Sequence, residues 1–275
     1  MDDKKYYNER INKMEREKYE FNELKRYFLN LFKRLEKECY FQEFFGYTCT
    51  DGDVVGKLGE DIEAEIFLKT GIKKAWPLSE YIEFFDDSVF FTIIEFLFDH
   101  ISEPKNKFYH EWKQCGYHAT SFNTNKGHEK FILEMNKLFE GYKEELYITK
   151  NGQVSYTAGK GFEELIEKEE LTGESESVDS RISYAISTYF RFSSGEKEKK
   201  DAVRTLSDVL EYYKKQGLKL DNKDDSDLFQ IINGFDIRHH NKEQVSTYNK
   251  ELWYEWMLYT FLASIRVIQK FNGLV

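Results

Sequence analysis

The sequence predicts a mostly α protein: an N-terminal acidic helical domain with one small β-hairpin, then a C-terminal four-helix bundle. Three observations carry this. Only 2 of 275 residues are proline, a residue that breaks helix interiors. Apolar residues recur at three- and four-residue steps along most of the chain. With 40% hydrophobic and 17% aromatic residues there is ample material for a core, so disorder is not expected.

Residues 3 to about 38 read as one long helix, with Tyr19, Leu24, Phe28, Leu31, Phe32 and Leu35 on its apolar side. Helices are also expected over Glu60–Thr70, Leu78–His100 and Glu129–Tyr142, and a short acidic one over Gly161–Glu170. Between the first two, Thr48–Gly59 is glycine-rich and contains the turn pair Asp51-Gly52. Leu146 and Ile148, then Val154 and Tyr156, alternate about Asn151-Gly152, which predicts a hairpin whose two central residues have positive φ. Thr172–Ser180 is Ser- and Glu-rich and marks a linker near 171–180, dividing a domain at 1–170 from one at 181–275.

The second domain reads as four helices: Ser180–Phe192, Glu196–Gln216, Asp225 to about Phe235 with Asp225 or Ser226 as N-cap, and about Thr247 to Phe271. Ala202, Leu206, Val209, Leu210 and Tyr213 form the stripe of the second, and Trp253, Trp256, Met257, Phe261, Ile265 and Ile268 that of the last. The tryptophan stripe reads as bundle core or dimer interface in preference to a base-stacking platform.

Charge narrows the function. The formal net charge is −10, which argues against a polybasic nucleic-acid binder without excluding an enzyme that holds RNA at one small basic spot. Residues 171–275 carry 15 Lys+Arg against 16 Asp+Glu, which leaves 25 and 34 in residues 1–170, so the acidity sits in the first part. The charged opening MDDKKYYNER is no signal peptide. The most apolar run, Ser88–Ile101, is too short for a membrane span. Cys39, Cys49 and Cys115 are odd in number and form no CxxC pair, as in a reduced, cytoplasmic protein.

Several segments could carry chemistry. Gly56-Lys57-Leu58-Gly59 invites a phosphate-loop reading but lacks the Gly-Lys-Ser/Thr ending. Cys115, His118 and His128 could be three zinc ligands with no evident fourth; Gly116 and Gly127 suggest loops there, and a reduced thiol with surface histidines is the simpler reading. Asp51, Asp53, Asp61 and Glu63 could hold a divalent ion, though solvated acids at turns explain them. No metal or cofactor is therefore expected.

The most suggestive segment is Arg238-His239-His240-Asn241. Arginine is a permanent bidentate phosphate ligand, and histidine exchanges protons near neutral pH. Together they meet the needs of metal-free RNA cleavage: a base for the ribose 2′-hydroxyl, an acid for the leaving oxygen and a cation for the charged intermediate. The plainer alternative pairs Arg238 with Asp236 or Glu243 and leaves the histidines to finish a helix end.

The phrases Arg204-Thr205-Leu206-Ser207-Asp208-Val209-Leu210-Glu211, Asp225-Ser226-Asp227-Leu228-Phe229, Asn233-Gly234-Phe235-Asp236-Ile237-Arg238-His239-His240-Asn241 and Trp253-Tyr254-Glu255-Trp256-Met257-Leu258-Tyr259 resemble the C-terminal helical region of AbiJ-type abortive-infection proteins, which are similar to the HEPN superfamily. The resemblance covers about Arg191–Ile268. It implies a helical bundle, a homodimer, RNase activity in anti-phage defence, an RNA substrate (tRNA among the candidates) and a phage-derived trigger or partner protein. Carried onto this chain, the HEPN signature places Arg238 at the arginine and His239 at its polar neighbour; the final histidine would fall at Glu243, Gln244 or Val245, none of which is histidine. Either His239 or His240 then acts from a shifted position, with Glu243 sharing a helical face with His239, or the bundle is a non-catalytic sensor that regulates a partner.

Overall fold

The computed structural model describes residues 7, 17–159, 162, 165–166, 176–220, 222–237 and 244–274. Helices dominate, with three two-stranded antiparallel pairs among the described residues. The chain forms two compact units that divide between Val154 and Ser155.

In the first unit, α1 (Phe21–Lys37) is shorter than expected. Tyr19 is not helical: its N–H donates to the Gly141 carbonyl (2.9 Å) and its own carbonyl accepts from Lys143. Glu20 then caps the helix, forming a capping box with Glu23. Of the rest of the expected helix, Tyr7 is helical and residues 3–6 and 8–16 lie outside the described residues. α2 (Gln42–Phe45) follows, then α3 (Ile62–Thr70), which Asp61 caps through the Ala64 N–H and Gly71 closes in the left-handed conformation.

The helix expected over Leu78–His100 is broken. α4 (Leu78–Tyr81) and a 3-10 turn end at Phe85, and Asp86 starts α5 (Asp87–Asp99) by accepting from the Val89 N–H. The buried Lys25 of α1 stabilises the break, because its Nζ donates to the carbonyls of Glu83 (2.7 Å) and Phe85 (3.0 Å). α6 (Thr124–Gly141) packs its Phe131, Met135 and Phe139 with Leu24, Phe28 and Leu31 of α1 and Phe90, Ile94 and Leu97 of α5 in the buried core. Phe90 sits edge-on to both Phe21 and Phe28.

The expected hairpin is present as β5 (Leu146–Ile148) and β6 (Val154–Tyr156). Its turn closes through Thr149 and Gln153, and only Gly152 has positive φ (83°), so a longer connection replaces the two-residue turn. Two further pairs were not expected. β1 (Glu103–Pro104) pairs with β4 (Phe122–Asn123), and between them β2 (Lys107–His110) pairs with β3 (Gly116–Ala119). These strands are short and polar, so no run of alternating hydrophobics announces them.

The second unit begins earlier than the expected boundary at 170. Ser155 bridges Arg191, the Tyr156 ring stacks on Phe192 at 5.5 Å, and the Gly159 N–H donates to the Tyr259 hydroxyl. Of the expected linker, residues 171–175 lie outside the described residues, and Glu176–Ser180 open α7 (Glu176–Phe190). Of the expected Gly161–Glu170 helix, Phe162 and Leu165–Ile166 are described: Phe162 is not helical and Leu165–Ile166 are. α8 (Glu196–Lys215), α9 (Asn222–Gly234) and α10 (Lys250–Phe271) complete four helices. The stripe of α8 is wholly buried, with Tyr189, Ile232, Tyr254, Met257, Phe261 and Ile265 in the same cluster. Asp225 does not cap α9; it lies inside the helix and pairs with Lys214 at 2.8 Å. Asn249 caps α10 through the Leu252 N–H.

Candidate functional site

Arg238, His239, His240, Asn241 and Glu243 lie outside the described residues. Their described neighbours are well anchored. Asp236 accepts from Tyr248 (2.7 Å) through one carboxylate oxygen and from Lys200 (3.1 Å) through the other. Burial pushes its carboxyl up, but these two donors outweigh that and hold it below the usual range. Beyond the tetrad, the Gln244 side chain donates to the Asn233 carbonyl (3.0 Å) and the Val245 N–H to the Gly234 carbonyl (3.0 Å). Two of the three positions at which the HEPN signature expects its last histidine thus hold structural contacts.

Ile237 also lines a cavity of about 410 Å³ with α7 and α8. Arg191, Lys197, Lys200 and Arg204 contribute cations to its wall, against Glu198 and Asp201. In a chain of net negative charge this is a local excess of positive charge suited to an anion. A second, larger and apolar groove of about 800 Å³ runs along α9 and α10 and is lined by Leu228, Ile231, Leu252, Trp256 and Val267. Met257 is core, whereas Trp253 and Trp256 are exposed.

In the first unit, the phosphate-loop reading is excluded by local contacts. The Lys57 and Leu58 N–H groups donate to the Glu43 and Phe44 carbonyls, and Lys57 Nζ pairs with Glu43 at 2.6 Å. No set of free amides is left to cradle a phosphate. Nor do the four acids gather: Asp61 caps α3 and Glu63 accepts from the Lys74 N–H.

The three suspected zinc ligands are corrected in one member. His128 stacks on Phe98 (ring centroids 4.0 Å apart), and burial lowers its pKa. Gly127, read as a loop residue, sits inside α6 against the Ile101–Ser102 backbone. Cys115 and His118 instead meet Cys49 and His110, and one donor atom from each of the four lies within 4.8 Å of every other.

Two local structures build this cluster. The β2–β3 register pairs Phe108 with His118 and His110 with Gly116, so His110 and His118 share one face. The tight turn between them, with Lys113 (φ 50°), Gln114 (φ 55°) and Gly116 (φ 110°) left-handed, brings Cys115 back over that face. Cys49 arrives on the Gly46–Gly59 loop, which Tyr47 and Val54 close by exchanging backbone hydrogen bonds of 2.9 Å. Gly46 is required there, since a Cβ would lie 2.1 Å from the Val54 carbonyl oxygen.

Cys49 Sγ is 3.3 Å from His110 Nδ1, and Cys115 Sγ is 3.1 Å from His118 Nε2. The other nitrogen of His110 faces Asp51 Oδ2 at 3.4 Å. His118 is buried and its ring stacks on Tyr47 at 4.1 Å. Hydrogen bonding from the Thr50 backbone, then from His110, with further help from His118 and Cys49, overcomes burial and pulls the Cys115 thiol down to about 6. By contrast, burial pushes the Cys39 thiol up, and Cys39 Sγ donates to the Tyr117 carbonyl. Among the described residues this is the one group of His, Cys and acidic side chains with metal-ligand geometry.

Sequence reasoning missed Cys49 and His110 because no short motif contains them. His110-x4-Cys115-x2-His118 is legible once the hairpin is known, but Cys49 lies 61 positions before His110. Comparison of the chain with protein-family models, curated proteins and solved structures gives no match. No described helix is long and apolar enough to cross a membrane.

Proposed function

We propose that the second unit is a HEPN-like, RNA-handling bundle and that the chain is a cytoplasmic anti-phage effector that cleaves RNA without a metal. The observation that carries this reading is the cation-lined cavity bounded by Ile237, the residue immediately before Arg238. Arg191, Lys197 and Arg204 would hold the RNA backbone next to the segment that carries the tetrad, Lys200 being paired with Asp236. Arg238 stabilises the charged phosphorane, His239 or His240 takes the 2′-hydroxyl proton and returns a proton to the leaving oxygen, Asn241 orients the phosphate and Glu243 supports the base. Dimerisation brings two such sets together. The defence role and the dimer rest on the resemblance to AbiJ-type proteins.

The test is incubation of the full chain with labelled tRNA and single-stranded RNA, with magnesium withheld and EDTA added on mixing. Cleavage leaving 2′,3′-cyclic phosphate ends is expected for the wild type. Arg238→Ala and the double variant His239→Ala/His240→Ala should lose it by about 100-fold or more, the usual scale of acid–base catalysis. Unchanged cleavage by both variants overturns the reading.

A second reading, a non-catalytic HEPN-like module that senses a phage component or regulates a partner, is favoured by the structural contacts of Gln244 and Val245. It predicts no cleavage with or without magnesium, and mutational sensitivity spread over a surface instead of gathered in one tetrad.

A further inference from the structure

We propose that Cys49, His110, Cys115 and His118 bind one zinc ion as a closed structural site that staples the Gly46–Gly59 loop to the β2–β3 hairpin. Two sulfur and two imidazole donors are a zinc set, softer than the oxygen shells that calcium or magnesium takes. In a tetrahedral zinc site the donors stand about 3.4–3.8 Å from one another, given metal–sulfur bonds near 2.3 Å and metal–nitrogen bonds near 2.0 Å. The two S···N separations of 3.1 and 3.3 Å, and the 4.8 Å limit on all of them, lie within small side-chain adjustments of that figure. Two thiolates and two neutral imidazoles offset the ion's charge, and thiol protons still present leave to solvent on binding. All four positions are filled by protein, which is the arrangement of a structural rather than a catalytic centre.

Two further observations point to a ligand here. Asp51 stands behind His110 as a carboxylate partner to the nitrogen that faces away from Cys49, the relay that fixes the tautomer of a metal-bound histidine. The segments joined are held by backbone hydrogen bonds, the Lys57–Glu43 pair and the Tyr47–His118 stack more than by apolar burial. Phe108, Tyr109, Trp112 and Tyr117 of the hairpin region and Val54 and Val55 of the loop are exposed. A lone two-stranded hairpin is marginal in water, and side-chain anchors here come from Gln42, which bonds the Tyr117 carbonyl and the Ala119 N–H, and from Cys39. A metal cross-link supplies what apolar burial does not.

The experiment is elemental analysis of the full chain, produced in zinc-supplemented medium and purified with no polyhistidine tag and no chelator. About one zinc per chain is expected, as for a single Cys2His2 site. Cys49→Ser and Cys115→Ser should each lose most of it, His128→Gln should keep it, and Asp51→Asn should weaken zinc binding by about 10-fold or more. Because loss of a ligand can itself unfold the protein, alkylation of the wild type is mapped as well. Cys49 and Cys115 should be protected until the metal is stripped, whereas the Cys39 rate should respond far less. Zinc-free protein, a Cys49–Cys115 disulfide in place of the metal, zinc content indifferent to both cysteine variants, or equal alkylation before and after stripping would each overturn the proposal.

Discussion

Gly127→Ala separates a helix-propensity argument from a packing argument, because the two predict opposite signs. Inside an exposed helix the change stabilises by about 1 kcal/mol. In α6 the new Cβ would stand 2.5 Å from Ser102 Cα and 2.8 Å from both Ile101 O and Ser102 N. All three are backbone atoms, and carbon pairs rest at about 3.5–4.0 Å, so α6 and the Ile101–Ser102 segment must part by about 1 Å. That segment is buried and tied by the Ser102 N–H to the Tyr40 carbonyl at 2.9 Å. Overpacking costs about 1–3 kcal/mol, and rigid backbone neighbours place this site in the upper half of that range, about 2–3, so after the propensity gain the variant should be destabilised by about 1–2 kcal/mol. Urea unfolding of the full chain followed by far-ultraviolet circular dichroism measures it, and the melting temperature should fall by several degrees, at about 2–4 °C per kcal/mol. Gly234→Ala is the control: nothing lies within 4 Å of its Cβ position, so it should be neutral or stabilising. A Gly127→Ala protein as stable as the wild type, or more so, would refute the packing argument.

Lys25→Met keeps most of the side-chain volume but removes the donor to the Glu83 and Phe85 carbonyls, and should cost about 1–3 kcal/mol for the unsatisfied acceptors; a cost under about 0.5 kcal/mol in urea titration would contradict that role for the lysine. Burial, together with the Lys69 ammonium, lowers the pKa of His100, whose Nε2 lies 2.8 Å from Lys69 Nζ. Below about pH 6.5 the unfolded chain therefore binds a proton there that the folded chain does not. Stability should fall from pH 7 toward 5, and less steeply in His100→Gln than in the wild type; parallel slopes would show that His100 is not the group responsible. Asn249→Ala removes the cap of α10 and should lower stability by about 1 kcal/mol, read as a shifted urea midpoint with unchanged m-value.

The parts of the fold that were legible in the sequence are those whose signal is local. The stripe of α8 is buried as its spacing requires, and the Asn151-Gly152 hairpin forms. The errors fall where a distant partner competes. Tyr19 leaves the helix its sequence continues because its backbone pairs with the chain around Gly141–Lys143. The apolar run after Leu78 breaks at Phe85, where carbonyls turn to Lys25 and Asp86 opens a new helix. Gly127 looks like a loop marker and is a contact residue.

Composition and periodicity alone determined a helical protein with its acidity in the first part and a near-neutral helical bundle in the second, because burying an apolar stripe every three or four residues leaves a chain few alternatives. They also singled out Arg238 and its histidines as chemistry-bearing residue types. Only the tertiary structure decided that Cys115 and His118 stand with Cys49 and His110 instead of His128. A ligand set is a property of points in space, and a strand register and a loop closure, neither written in any short motif, bring these four together.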